Sequence, residues 1–189
     1  MKTAILAEKF AAGLPYDRYV ETGNEDQRKR WRQFDTAVKL TEEQSRLLSG
    51  FVREMRILVV SGIWCGDCVQ QCPMLWRCAE ANPSRLLLRF VDRDEHRDLS
   101  EQLRINGGDR VPVVLFLSED HEFCGLAGDR TLSRYRAVAA RQLGPSCPTG
   151  IVLPPPDEIA ATLQDWVNEI ERVQWMLRIS PRLRKKYND

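Results

Sequence analysis

Nothing in this sequence is apolar over a long enough stretch to cross a bilayer. The longest apolar runs, such as Val111 to Leu117, fall far short of the roughly 20 residues a spanning helix needs. The amino end lacks an uninterrupted apolar stretch and a small-residue cleavage site, because Lys2, Glu8 and Lys9 interrupt residues 1–13. No secretory leader is expected there, and a soluble, cytoplasmic protein is. An excess of charge of one sign is missing too. Lys and Arg number 28 against 27 Asp and Glu, a formal net charge of +1. No overall field therefore draws the chain toward nucleic acid or an anionic membrane. Histidine is scarce: His96 and His121 both stand among charged turn residues, where solvation is the expected role. No internal repeat or long low-complexity tract is visible, and the length suits one domain with embellishments.

Cysteine, in contrast, is present and clustered. Of six cysteines, Cys65, Cys68, Cys72 and Cys78 fall in one short segment. In a reducing compartment they do not read as a structural disulfide framework. Such spacing points to redox chemistry or metal binding.

Three zones can be separated. Residues 1–50 are polar and helix-prone. Leu6, Phe10 and Leu14 suggest a first helix ended near Gly13-Leu14-Pro15. Trp31, Phe34, Ala37 and Val38 share a face of a second, and Thr41 with Gln44 forms the capping box of a third. Leu47, Leu48, Phe51 and Val52 are that helix's apolar face. Residues 51–143 alternate strand and helix patterns: strands at 56–62, 86–91 and 111–117, a β run at 122–126, and helices at 66–81, 98–105 and 131–143. The order β-α-β-α-β-β-α predicts an α/β fold whose central sheet mixes parallel pairs with one terminal hairpin. Residues 144–189 open on a proline-rich linker holding Cys147 and Pro154-Pro155-Pro156. An amphipathic helix from Ile159 to Ile179 follows.

A Cys-x-x-Cys match alone says little. Its position says more, since Cys65 and Cys68 follow a buried-strand pattern and open a helix. Unpaired amide N–H groups and the helix dipole there stabilise a thiolate, which makes Cys65 the expected nucleophile. Pro73 falls inside that helix, where proline is costly. Val111-Pro112 opens the third strand, where a proline without an N–H belongs.

Together Trp64-Cys65-Gly66-Asp67-Cys68, Pro73 and Val111-Pro112 resemble the thioredoxin superfamily. Arg93-Asp94-Glu95 and Asn106-Gly107-Gly108 sharpen the likeness toward a little-characterised thioredoxin-like group with a WCGDC active-site motif. The resemblance covers residues 51–143. It implies a thioredoxin-like fold with helical extensions at both ends, and a thiol–disulfide oxidoreductase working without a bound cofactor or metal. Cys65 would attack a substrate disulfide and Cys68 would resolve the mixed disulfide. Trp64, Val111 and Pro112 would bind substrate, with Pro112 cis and the Val111 backbone pairing to a bound peptide. Protein or small-thiol disulfides would be the substrates, and a flavoenzyme reductase the electron donor. Two departures stand out. Thioredoxin's buried aspartate, six residues before the first cysteine, is Val59 here, which leaves Asp67 and Asp94 as candidates for proton relay or thiol tuning. Asp67 also replaces the familiar proline and sets a negative charge near Cys65, so a reducing rather than strongly oxidising dithiol is expected.

Other readings stand beside this one. Cys65, Cys68 and Cys72 share a helical face and could be part of a zinc site completed by His96, His121 or a distant cysteine. A closed site usually draws on separated segments instead. A thiol peroxidase lacks the needed Thr and Arg beside Cys65, and a redox-inactive binding or adaptor module would tolerate loss of both cysteines. Cys72 and Cys124 are expected in the core, whereas Cys78 could be core or reactive. Trp31, Trp76, Trp166 and Trp175 are expected to pack, and Arg182 to Lys186 to fray in solvent. Asp92, Asp94 and Glu95 are balanced between site and cap.

Overall fold

The apolar run after Arg53-Glu54 forms strand β1 (Met55–Ser61), an inner strand of a four-stranded sheet that runs β2 (Leu86–Asp92), β1, β3 (Val113–Leu117), β4 (Phe123–Gly128). This is a computed structural model, and it describes residues 1–143 and 157–189. β2 (Leu86–Asp92) pairs parallel with β1, β3 (Val113–Leu117) pairs antiparallel with β1, and β4 (Phe123–Gly128) closes the hairpin on β3. Both central strands are covered on both faces. They therefore read as near-continuous Val, Ile, Leu and Phe rather than as an alternation. The mixed sheet follows the expected element order.

Helix α5 (Gly66–Glu80) connects β1 to β2. α6 (Arg97–Ser100) passes into a 3-10 turn at Glu101–Leu103, shorter than the expected 98–105 helix. β3 begins at Val113, two residues after the predicted start, leaving Val111 and Pro112 ahead of the ladder. α7 (Leu132–Leu143) follows β4.

The amino-terminal segment forms α1 (Thr3–Ala12), α2 (Tyr16–Val20), α3 (Glu25–Ala37) and α4 (Glu42–Ser49). Leu14 lies beyond α1 and exchanges two backbone hydrogen bonds of 2.8 Å with Phe90. It thereby covers the outer edge of β2, where open N–H and C=O groups would otherwise invite another chain. The five-residue α2 has too few turns to register as a periodicity, yet it delivers Tyr16 and Tyr19 to the core. Tyr19 stacks on Phe90 at 5.3 Å, and Tyr16 on Trp76 at 5.3 Å. Thr41 caps α4 with Gln44 as expected, and Asn24 with Gln27 builds a second capping box on α3. On the predicted apolar face of α4, Leu48 is buried but Val52 is exposed.

The carboxyl segment forms α8 (Glu158–Arg178), capped by Asp157, and α9 (Pro181–Tyr187). Leu6, Trp31 and Trp166 are fully buried in the same hydrophobic cluster as the sheet, so both end segments share its core. Truncating such a tryptophan to alanine costs about 3–5 kcal/mol. Trp175 departs from expectation: it is 57% exposed and donates to Glu171 at 3.2 Å on the solvent face of α8. The basic run does not fray, because Leu183 is buried and Arg182 and Lys186 both bond to Asp120. The expected proline-rich linker at 144–156, with Cys147 and the proline triplet, lies outside the described residues. No helix of the described residues is long and apolar enough to cross a membrane.

Candidate functional site

The chain leaves β1 after Ser61, turns through Gly62-Ile63-Trp64 and starts α5 at Cys65, its N-cap. Cys65 is half-buried and Cys68, one turn on, is fully buried; both are free thiols. The Cys65 thiol faces the Val111 carbonyl oxygen at 3.5 Å, and the Gly62 N–H donates to Cys68 Sγ at 3.5 Å. The Val111-Pro112 peptide is cis. So the residues separated by 46 positions in the sequence meet at one slot.

Neighbours hold the slot's walls. Trp64 is 49% exposed beside Cys65, and Arg93 lies 4.6 Å above its indole. Gly62 leaves room for that ring, since a Cβ there would come within 2.8 Å of it. Gly128 has φ +132°, and a Cβ on it would collide with the Pro112 carbonyl. The loop after Gly128 is clipped to α5 by the buried Gln71, which donates to the Asp129 carbonyl at 2.9 Å and accepts from the Thr131 N–H at 3.3 Å. The Asp129 side chain accepts from Tyr135 and from Arg110. Burial opposes its charge, but those bonds outweigh it and hold the carboxyl below its usual value.

Asp67 does not stand free beside the dithiol. Its carboxylate is taken up by Arg130 at 2.6 Å and Arg134 at 3.1 Å, which compensates the charge expected to oppose a Cys65 thiolate. Asp94 pairs with Arg93 at 2.9 Å. Asp92 accepts from the Asp94 N–H at 2.8 Å and the Glu95 N–H at 3.4 Å, which closes the turn after β2 and does not cap α6, whose N-cap is His96. Among the described residues, the carboxylates of Asp67 and Asp94 bond to arginines and not to a cysteine thiol.

The thiols themselves are not preset as thiolates. Burial pushes the Cys68 thiol well above the usual range. Cys65 is raised first by its hydrogen bond with Cys68 and next by its own burial, against the pull of the Cys68 and Asp67 backbone N–H groups. The helix start thus acts as expected, but it does not win in the reduced pair. Among the others, Cys72 is fully buried as expected, with the Ser61 hydroxyl 3.7 Å from its sulfur. Cys78 is buried and pushed up to about 12 by burial, which assigns it to the core. Cys124 packs against the core only in part: it is half-buried on edge strand β4, with its thiol 3.4 Å from the Glu122 carbonyl. His96 is half-buried with Lys9 Nζ 3.3 Å from its Nδ1, and His121 packs edge-on against Phe10. Among the described residues no group of three or more Cys, His, Asp or Glu is placed to hold a metal ion.

Ser61, Tyr19, Gln71, Asp129, Arg130 and Arg134 were not singled out by the sequence. Arg130 precedes α7 and Arg134 lies on it, so no helical periodicity marked the pair.

A family model described as thioredoxin matches residues 13–133. Among solved structures, a protein of unknown function from Pseudomonas aeruginosa aligns with a TM-score of 0.68 at 20% identity, covering 88% of this chain and 95% of that one. An HIV epitope-scaffold aligns with a TM-score of 0.67 at 19% identity and the same coverage, 88% and 95%. At such identities these two likenesses show the fold. No curated protein matches the chain. With the family match running from Gly13 at the end of α1 through the dithiol helix and Val111-Pro112 to the start of α7, the chain belongs to the thioredoxin family.

Proposed function

We propose that the protein is a thiol–disulfide oxidoreductase that reduces protein or small-thiol disulfides through Cys65 and Cys68. One observation carries this reading: a half-buried thiol at a helix start faces the Val111 carbonyl at 3.5 Å, with a second, enclosed thiol one turn behind it. A substrate strand laid along Val111 would bring its disulfide to Cys65, with Trp64 and Pro112 as the flanking surfaces. Cys65 attacks one substrate sulfur and the other leaves with the electron pair. Cys68 then attacks Cys65, so that the dithiol becomes a disulfide and the substrate leaves as two thiols. A cytoplasmic flavoenzyme reductase would return the electrons, and no bound cofactor is needed for either exchange.

Insulin-disulfide reduction by dithiothreitol, compared for wild type, Cys65→Ser and Cys68→Ser, tests this. Acceleration by wild type that Cys65→Ser abolishes is expected. Equal rates for wild type and Cys65→Ser would instead leave a thioredoxin-fold binding or adaptor module.

A further inference from the structure

The dithiol slot shares Trp64 with a second feature of the surface. A cavity of about 490 Å³ lies between the α1–α2 connection and the carboxyl end of β2, a volume within the range of small-ligand sites. Leu14, Ile63, Trp64 and Phe90 supply its apolar wall, and Asp92 and Glu95 stand in its polar lining. Leu14 and Trp64 are 37% and 49% exposed, so apolar surface is open to solvent beside two carboxylates. The charges around this cavity are unevenly matched. Arg93 is engaged by Asp94 at 2.9 Å, by the Asp109 carbonyl at 3.1 Å and by the Trp64 indole. Arg97 pairs with Asp94 alone, at 3.9 Å. Lys9 donates to Asp98 at 2.8 Å and faces His96 Nδ1. Among the described residues, neither Asp92 nor Glu95 has a cation as partner. Asp92 uses Oδ1 to close the turn after β2, and its Oδ2 accepts from no described residue.

We propose, resting on the dithiol reading above, that this cavity is a specificity subsite that takes a lysine or arginine side chain of a peptide substrate close to its disulfide. A substrate strand laid along Val111 passes Trp64, which belongs to both the slot and the cavity. Adjacent residues of an extended strand lie about 3.3 Å apart, so a side chain one or two positions from the disulfide falls within reach of that ring. The methylene stem of a basic side chain covers Leu14 and Trp64, while its cationic head stays at the polar rim. There it meets Asp92 and Glu95 and forms charge-assisted hydrogen bonds with carboxylates that have no cation of their own. An acidic side chain meets like charge at the same place. An uncharged one of equal length gains the stem contact alone. The selection therefore acts on binding and leaves the exchange chemistry to Cys65 and Cys68. It also gives the amino-terminal segment a part in the site, because Leu14 both closes the β2 edge and walls the cavity.

The test uses peptide disulfides that differ in one residue, lysine, norleucine or glutamate, placed in turn at the two positions on either side of the cysteine. Their reduction is followed by thiol release, and release seen in Cys65→Ser is subtracted. At the best position, kcat/KM for the lysine peptide is expected about tenfold above that for the glutamate peptide, with norleucine between them and the difference carried by KM. Raising the salt to about 0.5 M should narrow the gap. Glu95→Gln, an exposed change, should lower the lysine-to-glutamate ratio about threefold, and Glu95→Lys should reverse the order. Asp92→Asn with Glu95→Gln, in which asparagine keeps an oxygen for the turn, should bring the two peptides within about twofold. Equal kcat/KM for the lysine and glutamate peptides in wild type, or a preference that survives Glu95→Lys, would overturn the subsite and leave the dithiol reading standing. If no peptide is reduced in a Cys65-dependent way, the dithiol reading fails, and fluorescence anisotropy of labelled, disulfide-free peptides then decides the subsite. Tighter binding of the lysine peptide that Glu95→Lys reverses would sustain it, and equal binding of the lysine and glutamate peptides would overturn it.

Discussion

The Cys65 thiol and the Val111 carbonyl oxygen stand 3.5 Å apart, so the sulfur proposed to attack and the backbone edge proposed to receive a substrate strand are two sides of one slot. The slot is held from behind by the Gly128–Thr131 loop, which Gln71 ties to the dithiol helix. Its geometry therefore depends on buried polar contacts rather than on a mobile surface loop.

Trp64 flanks this slot under Arg93 and buries little of the core. Trp64→Ala should raise KM for a protein disulfide about tenfold, equivalent to about 1.4 kcal/mol of binding, and leave kcat and the melting temperature nearly unchanged. Steady-state kinetics with a protein substrate and with a small disulfide check this. A fall in kcat at constant KM would place Trp64 in the chemistry instead.

Asp67 joins α5 to the loop and helix that carry Arg130 and Arg134, with all three side chains largely buried. Asp67→Ala removes the carboxylate the two guanidinium groups share, leaving Arg134 to Glu158 and Arg130 to Asp129 at 4.0 Å, and a loss of about 1–3 kcal/mol of unfolding free energy is expected. Denaturant unfolding measures it. Destabilisation below about 0.5 kcal/mol would show the cluster to behave like exposed surface pairs.

Asp120 ties the terminal helix to the β3–β4 turn. Its carboxyl is held well below the usual carboxylate range, first by the Arg182 hydrogen bond and further by Lys186 and Ser118, against the opposing effect of burial. A depressed folded value contributes stability above the unfolded pKa of about 3.9, and that contribution is lost as pH falls through the folded value. Amides of α9 should keep their exchange protection at neutral pH and lose it in strong acid. Asp120→Asn should release α9 at neutral pH while β1 stays protected. Full α9 protection in Asp120→Asn would contradict the tie.

Neither thiol is preset as a thiolate: Cys65 is raised by its hydrogen bond with Cys68 and by burial, and Cys68 by burial, which outweighs the lowering effect of its hydrogen bond with Cys65. A thiolate-stabilised reduced state is what makes a strong oxidant, so the Cys65–Cys68 couple should sit nearer about −270 mV than −120 mV. Equilibration with glutathione buffers reads the potential, and a value at the oxidising end would sink this expectation.

Much of the fold was legible because the signals were local. Thr41-Gln44 announces a capping box, and the buried strands are unbroken apolar runs. The dithiol and Val111-Pro112 were legible for the same reason. What escaped was set by distant partners. Asp67 looked like a lone charge beside a thiol, because Arg130 and Arg134 lie more than 60 positions away. Arg182 and Lys186 looked like a solvated tail until Asp120 supplied their partner. Cys124 looked like core because a β pattern does not tell an edge strand from a central one. Tyr19 sits on a helix of five residues, too short for periodicity to mark its buried face.

The mixed disulfide is the species that separates an oxidoreductase from a binding module of the same fold. Cys68→Ser, which removes the resolving thiol, should be incubated with a peptide disulfide and digested for mass analysis. One reductant-reversible peptide adduct per chain, carried on Cys65, is expected. An adduct carried mainly on Cys124 or another cysteine, or no adduct at all, would contradict the assignment of Cys65 as the attacking thiol.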